Sequence, residues 1–238
     1  MVAPRVLILR APGTNCDFET EHAFERAGAV GDRVHINRIL ETPTRMNDYQ
    51  ILCIPGGFSY GDDVGAGKIL ANQMRHHLVD VMQQFKSQDK LLLGICNGFQ
   101  VLLEAGLLPG SMRRNKRLEF ICEHVNLRVE QTDTPFTLKA SAGQLLRIPI
   151  AHGEGNYYAP PETVEKLETD RRIIFRYTSP TGAVDEMWNV NGSVASIAGI
   201  CNETRNVVGL MPHPERACEQ EIGSTDGRII LESVIGAL

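Results

Sequence analysis

The 238-residue chain lacks most of what would mark a membrane, nucleic-acid-binding or disulfide-stapled protein. No stretch approaches the roughly 18 consecutive apolar residues of a membrane span. Positive charge is in deficit: 24 Lys and Arg stand against 29 Asp and Glu, a formal charge of −5. That balance excludes a nucleic-acid partner held by bulk electrostatics. The six cysteines, at 16, 53, 96, 122, 201 and 218, form no C-x-x-C pair, which argues against a zinc cluster and against a disulfide framework. No metal site is expected. Met1 to Arg10 lacks the apolar core and small-residue cleavage site of a secretion signal, so a reducing cytoplasm is the expected setting. The sequons at Asn191 and Asn202 are then chance. Internal repeats, low-complexity segments and linker-like stretches are also missing, so a single domain over residues 1–238 is expected.

What is present has a globular balance, with 42% apolar and 22% charged residues. Short apolar runs alternate with helix-like stretches through the first half. Val6 to Leu9, Val34 to Ile36, Ile51 to Ile54 and Leu91 to Ile95 read as strands. Between them, Asn15 is placed to cap a helix whose Thr20, Ala23, Phe24 and Ala27 share one face, with Gly28 as its stop. One helix is expected over Lys68–Lys86, and another from Phe99 to Ala105. This order predicts an α/β fold, with a mostly parallel central sheet and helices on both faces. Leu118 to Tyr177 is richer in short strand-like segments and predicts added antiparallel strands. A late strand, Val207 to Met211, and a closing helix, Gly227 to Ile235, complete the pattern.

The segment Gly94-Ile95-Cys96-Asn97-Gly98 joins a buried strand to a helix. It is a nucleophile elbow with sulfur in place of oxygen. Its glycines relieve crowding, so that Cys96 can occupy a sharp, strained turn. At a helix start the dipole favours an anionic sulfur. The N–H of Asn97 points to where an oxyanion would form.

A thiol nucleophile benefits from a histidine oriented by a third group. Two H-x-E segments offer one: His213-Pro214-Glu215 after the late strand, and His152-Gly153-Glu154 after Ile148-Pro149-Ile150. In an extended segment, residues two apart project to one side. Pro212 and Pro214 stiffen the backbone around His213, whereas His152 stands in a pliable glycine setting. His213 with Glu215 is therefore the preferred pair. Cys96 would attack a carboxamide carbon, with N–H groups of Asn97 and Gly57 holding the oxyanion. His213 would protonate the leaving ammonia and then activate water.

Two other segments have blander readings. Gly61 to Ile69 fails the phosphate-loop pattern, because Asp62 stands where glycine is needed and Ile69 where Ser or Thr is needed. It is better read as a mobile loop bordering the Cys96 pocket. Asp62 and Asp63 lack a third metal ligand. Arg113 to Arg117 is a basic cluster, read first as a solvated face and second as a docking surface for an acidic or phosphorylated partner.

Taken together, these segments resemble the class I (triad) glutamine amidotransferases. More narrowly, they resemble the small glutaminase subunits of phosphoribosylformylglycinamidine synthase, an enzyme of purine biosynthesis. The resemblance rests on Pro12-Gly13-Thr14-Asn15-Cys16-Asp17, Pro55-Gly56-Gly57-Phe58-Ser59-Tyr60-Gly61-Asp62 and Gly94-Ile95-Cys96-Asn97-Gly98-Phe99-Gln100. It extends to Met112-Arg113-Arg114-Asn115, Ala151-His152-Gly153-Glu154-Gly155-Asn156 and Met211-Pro212-His213-Pro214-Glu215-Arg216, and so covers nearly the whole chain. It implies a flavodoxin-like fold, a Cys96–His213–Glu215 triad, and Gly56, Gly57, Asn97 and Gln100 around the oxyanion and substrate. It also implies that ammonia from glutamine passes to a separate synthetase subunit, with a third small protein completing the complex. No cofactor is implied for this chain. ATP and Mg²⁺ would serve the synthetase, converting formylglycinamide ribonucleotide to the amidine. Asp63 to Lys68 departs from the commonest subunit pattern and leans toward the fused enzymes.

Overall fold

A computed structural model describes residues 2–88 and 90–238. The chain opens with β1 (Arg5–Arg10), α1 (Asp17–Arg26), β2 (Val30–His35) and α2 (Ile36–Glu41). Next come β3 (Ile51–Ile54), α3 (Lys68–His77), α4 (Val79–Ser87), β4 (Leu91–Ile95) and α5 (Asn97–Glu104). The middle contributes β5 (Ser111–Arg113), β6 (Ile121–Val129), β7 (Leu145–His152), β8 (Asn156–Tyr158), α6 (Pro161–Thr169) and β9 (Ile173–Thr178). The last elements are β10 (Ile197–Cys201), β11 (Val207–Leu210) and α7 (Gly227–Gly236).

Nine strands form one sheet in the order β2-β1-β3-β4-β11-β10-β9-β6-β7. The first five pair in parallel and the rest antiparallel. β5 and β8 make a separate two-stranded ribbon. The parallel strands β3, β4 and β11 are buried at every residue, as expected for strands covered on both faces. Cys53 pairs with Leu93, and Gly209 with Gly94, so the carboxyl ends of β3, β4 and β11 finish side by side. Open α/β sheets bind ligands at that edge.

The structure departs from the sequence reading in four local respects. Val30 to Arg33, an exposed valine followed by half-buried Gly31, Asp32 and Arg33 at the sheet edge, joins the second strand, and Ile36 starts a helix instead of ending the strand. The helix expected over Lys68–Lys86 is broken at Leu78, which leaves helical geometry at φ −125° as its side chain turns into the core. Asn15 does not cap α1: Cys16 occupies that position without a side-chain cap, and the Asn15 carboxamide oxygen accepts from the Cys16 thiol at 3.2 Å. The strand-rich middle also holds α6, opened by a proline in its first turn, where the missing N–H is harmless.

Candidate active site

Cys96 stands between β4 and α5 with φ 50° and ψ −104°, a conformation that costs a non-glycine residue energy. Its N–H donates to the Leu210 carbonyl at 2.8 Å, fastening the turn to β11, and its carbonyl accepts from Gln100 N–H at 3.1 Å. The glycines are required by space. A Cβ on Gly98 would lie 1.9 Å from the Ile54 carbonyl oxygen, and one on Gly94 would lie 2.7 Å from the Gly98 oxygen. β3, β4 and the start of α5 therefore meet at van der Waals limits around Cys96.

His213 follows β11 and is buried, as is Glu215. The His213 N–H donates to the Pro149 carbonyl at 2.8 Å, which ties this segment to β7. Nδ1 of the imidazole contacts a Glu215 carboxylate oxygen at 2.5 Å. The other nitrogen, Nε2, has no hydrogen-bond partner among the described residues, with the Cys96 and Cys16 sulfurs beside the ring. Catalytic hydrogen bonds are often loose before substrate binds. Burial opposes charge on His213, but the Glu215 carboxylate and then the Cys96 sulfur outweigh it and hold the imidazole pKa well above its usual range.

Cys16 is the neighbour that sequence reasoning passed over. Its N–H donates to the Gly56 carbonyl at 3.3 Å, and its sulfur accepts from the Arg216 guanidinium at 3.1 Å. Arg216 in turn grips Glu19 of α1 at 2.9 Å. Burial raises the Cys16 thiol pKa, against the lowering influence of the His213 imidazole beside it. Donor atoms of Cys16, His213 and Glu215 lie within 4.8 Å of one another, the one group among the described residues with the make-up of a metal site. The His213–Glu215 contact and the Arg216 cation already engage those donors. The available signal was the position of Cys16 in the Pro12-to-Asp17 motif, one residue from the predicted cap.

The remaining predicted residues divide by role. Gly57, at φ 142°, lines the cavity that holds Cys96 and forms an isolated bridge with Thr14. Gly56 makes room: a Cβ there would fall 2.7 Å from Cε1 of His213 and 3.0 Å from the Cys16 sulfur. The Asn97 side chain turns from the cavity toward the glycine-rich loop, accepting from Ser59 N–H at 3.1 Å and donating to Gln100 Oε1 at 2.9 Å. Its backbone N–H is left at the open start of α5. Gln100 lines the cavity, but its amide nitrogen is committed to the Glu154 carbonyl at 2.7 Å.

The cavity measures about 280 Å³, the size of one small molecule. Asp62, Arg114, Glu119 and Glu154 bring charges of both signs to it, with Arg114 and Glu154 4.0 Å apart. The Gly61–Ile69 loop thus borders the pocket, as expected from sequence. His152 also lines it, and its setting is not pliable. Asn115 clamps the segment through its side chain and through its N–H, which donates to the Gly153 carbonyl at 2.9 Å. A larger open groove of about 1070 Å³, bordered by Gln83, Leu107 and Lys166, lies away from Cys96.

A family model for the CobB/CobQ-like glutamine amidotransferase domain matches residues 3–228. Phosphoribosylformylglycinamidine synthase subunit PurQ of Rhodopseudomonas palustris (strain BisB18) is 46% identical over 228 residues, covering 96% of this chain and 95% of that one. The chain belongs to the PurQ family of glutamine amidotransferases. The corresponding subunit of Bradyrhizobium diazoefficiens is 52% identical over 226 residues, 94% of each chain. Among solved structures, PurLQS from Thermotoga maritima superposes with a TM-score of 0.83 at 38% identity, covering 99% of each chain. These relatives are subunits of matching length. The α/β amidotransferase fold expected from the sequence is the fold observed.

Proposed function

We propose that Cys96, His213 and Glu215 carry out the glutaminase half of phosphoribosylformylglycinamidine synthase, in complex with a synthetase chain. The chain is a glutamine amidotransferase of purine biosynthesis and a subunit of that synthase. The supporting observation is the strained Cys96 turn facing a buried histidine locked onto Glu215 at 2.5 Å.

The Cys96 sulfur adds to the carboxamide carbon of glutamine. Backbone N–H groups of Asn97 and Gly57 would hold the oxyanion. His213 gives its proton to the departing nitrogen, the C–N bond breaks, and ammonia leaves a γ-glutamyl thioester on Cys96. The neutral imidazole then takes a proton from water as the water adds to the thioester. Glutamate departs and the thiol is restored. Glu215 orients the ring throughout and offsets its charge. The mixed charges around the cavity suit a zwitterion such as an amino acid.

Ammonia then passes to the synthetase subunit, where ATP and Mg²⁺ serve the amidine-forming step. This chain needs no cofactor of its own. A third small subunit completes the assembly, and the cytoplasm is its setting. In the reconstituted complex, Cys96→Ala is expected to abolish glutamine-dependent synthesis and to leave ammonia-dependent synthesis intact. Loss of both activities would defeat this division of labour.

A further inference from the structure

His152 ends β7, one residue past Ala151, whose carbonyl lies 3.7 Å from the Cys96 sulfur. It lines the Cys96 cavity and is 2% exposed. Its surroundings decide which ring nitrogen carries the proton. The Asn115 amide nitrogen donates to the carbonyls of Glu119 and His152, each at 2.8 Å, and the amide oxygen accepts from Gly155 N–H at 2.9 Å. Three backbone partners therefore orient this amide, and it presents oxygen to His152 Nδ1 at 3.1 Å. Nδ1 must be the protonated nitrogen, which leaves a lone pair on Nε2.

That lone pair is buried and has no donor among the described residues. The ring lies against Gly155, where a Cβ would stand 2.1 Å from Cε1 and 2.5 Å from Nε2. A buried acceptor left bare is unfavourable in the free protein, and such groups call for an explanation. Here the acceptor belongs to a residue lining the cavity of the nucleophile.

We propose that Nε2 of His152 accepts a hydrogen bond from the carboxamide N–H of glutamine and thereby selects the amide over a carboxylate. The inference rests on the reading of Cys96 as the nucleophile toward glutamine. An amide nitrogen offers donors to this lone pair, whereas the carboxylate of glutamate offers only lone pairs of its own. Burial, with the nearby His213, holds the His152 pKa down to about 4, so the ring stays neutral and Nε2 remains an acceptor at neutral pH. His152 is then a specificity-determining residue, distinct from the base His213.

The test compares two substrates in the complex with the synthetase subunit: glutamine, and glutamate γ-methyl ester. The ester presents the same acyl centre with no N–H on its leaving group. His152→Phe is expected to lower the ratio of kcat/KM for glutamine to that for the ester about tenfold, the scale of one hydrogen bond. Asn115→Ala, which frees the tautomer, is expected to lower the same ratio by a smaller factor and serves as the readout if the Phe variant does not fold. An equal fall for both substrates would make His152 a packing residue only and overturn the inference. An unchanged ratio would mean that water satisfies Nε2, with the same result. A wild-type complex that turns over neither substrate would instead remove the glutaminase reading itself.

Discussion

Two histidines within one site are pushed in opposite directions by their surroundings. His213 is buried beside a carboxylate and a sulfur, and its pKa is raised. His152 is buried beside a neutral amide and near the His213 cation, and its pKa falls to about 4. The two shifts have opposite consequences for stability. A raised pKa contributes stability that is complete below the unfolded value near 6.5 and fades as pH climbs through the folded one. A lowered pKa contributes stability that is complete above 6.5 and is lost as pH falls toward 4, because only the unfolded chain takes up the proton. The His152 shift corresponds to about 3 kcal/mol across that window. Denaturant titrations between pH 7 and pH 4 should therefore show a shallower acid loss for His152→Phe than for the wild type. Parallel curves would show that His152 does not titrate as described.

At the scale of elements, the site depends on how closely α5 approaches the sheet. Gly209 of β11 has no room for a side chain: a Cβ would lie 2.0 Å from Cδ2 of Phe99. Phe99 sits in the first turn of α5 and stacks on Tyr157, with ring centroids 6.0 Å apart. Gly209→Ala is expected to destabilise the fold by roughly 3 kcal/mol, the upper range for overpacking a core. Glutaminase activity should fall with it, since Phe99 shares its helix with the Cys96 turn. A denaturation midpoint equal to that of the wild type would contradict this packing. The elbow itself was legible in the sequence, because a glycine two residues either side of a cysteine, between an apolar run and a helix, states its own geometry. The break at Leu78 was not, since residues 68–86 hold a helical apolar spacing throughout and only the core decides where Leu78 must turn inward.

At the scale of the molecule, parallel and antiparallel strands share one continuous sheet, and the site draws on both. Cys96 and His213 come from the parallel half, and Ala151 to Glu154 from the antiparallel extension through β7. A single unbroken sheet predicts one cooperative unit. Calorimetry should give one transition of about 170 kcal/mol near 60 °C, from roughly 0.7 kcal/mol per residue, with equal calorimetric and van't Hoff enthalpies. Two resolved transitions would mean that the antiparallel extension folds separately.

Residue spacing carries the local patterns: the strand-to-helix elbow at Cys96, the stiff His213-Pro214-Glu215 segment, the parallel strands and the family resemblance. Each of these is a short-range arrangement of residue types, so spacing alone displays it. Which distant groups meet is a matter of the three-dimensional fold. Cys16 lies 197 positions before His213 yet stands beside its ring, because Arg216 clamps Glu19 and the Cys16 N–H bonds to Gly56. Asn115 holds His152 from 37 positions away, and turns a glycine-flanked loop that looked pliable into a rigid wall of the site. Contacts of that range are set by strand order and register, which no local spacing records.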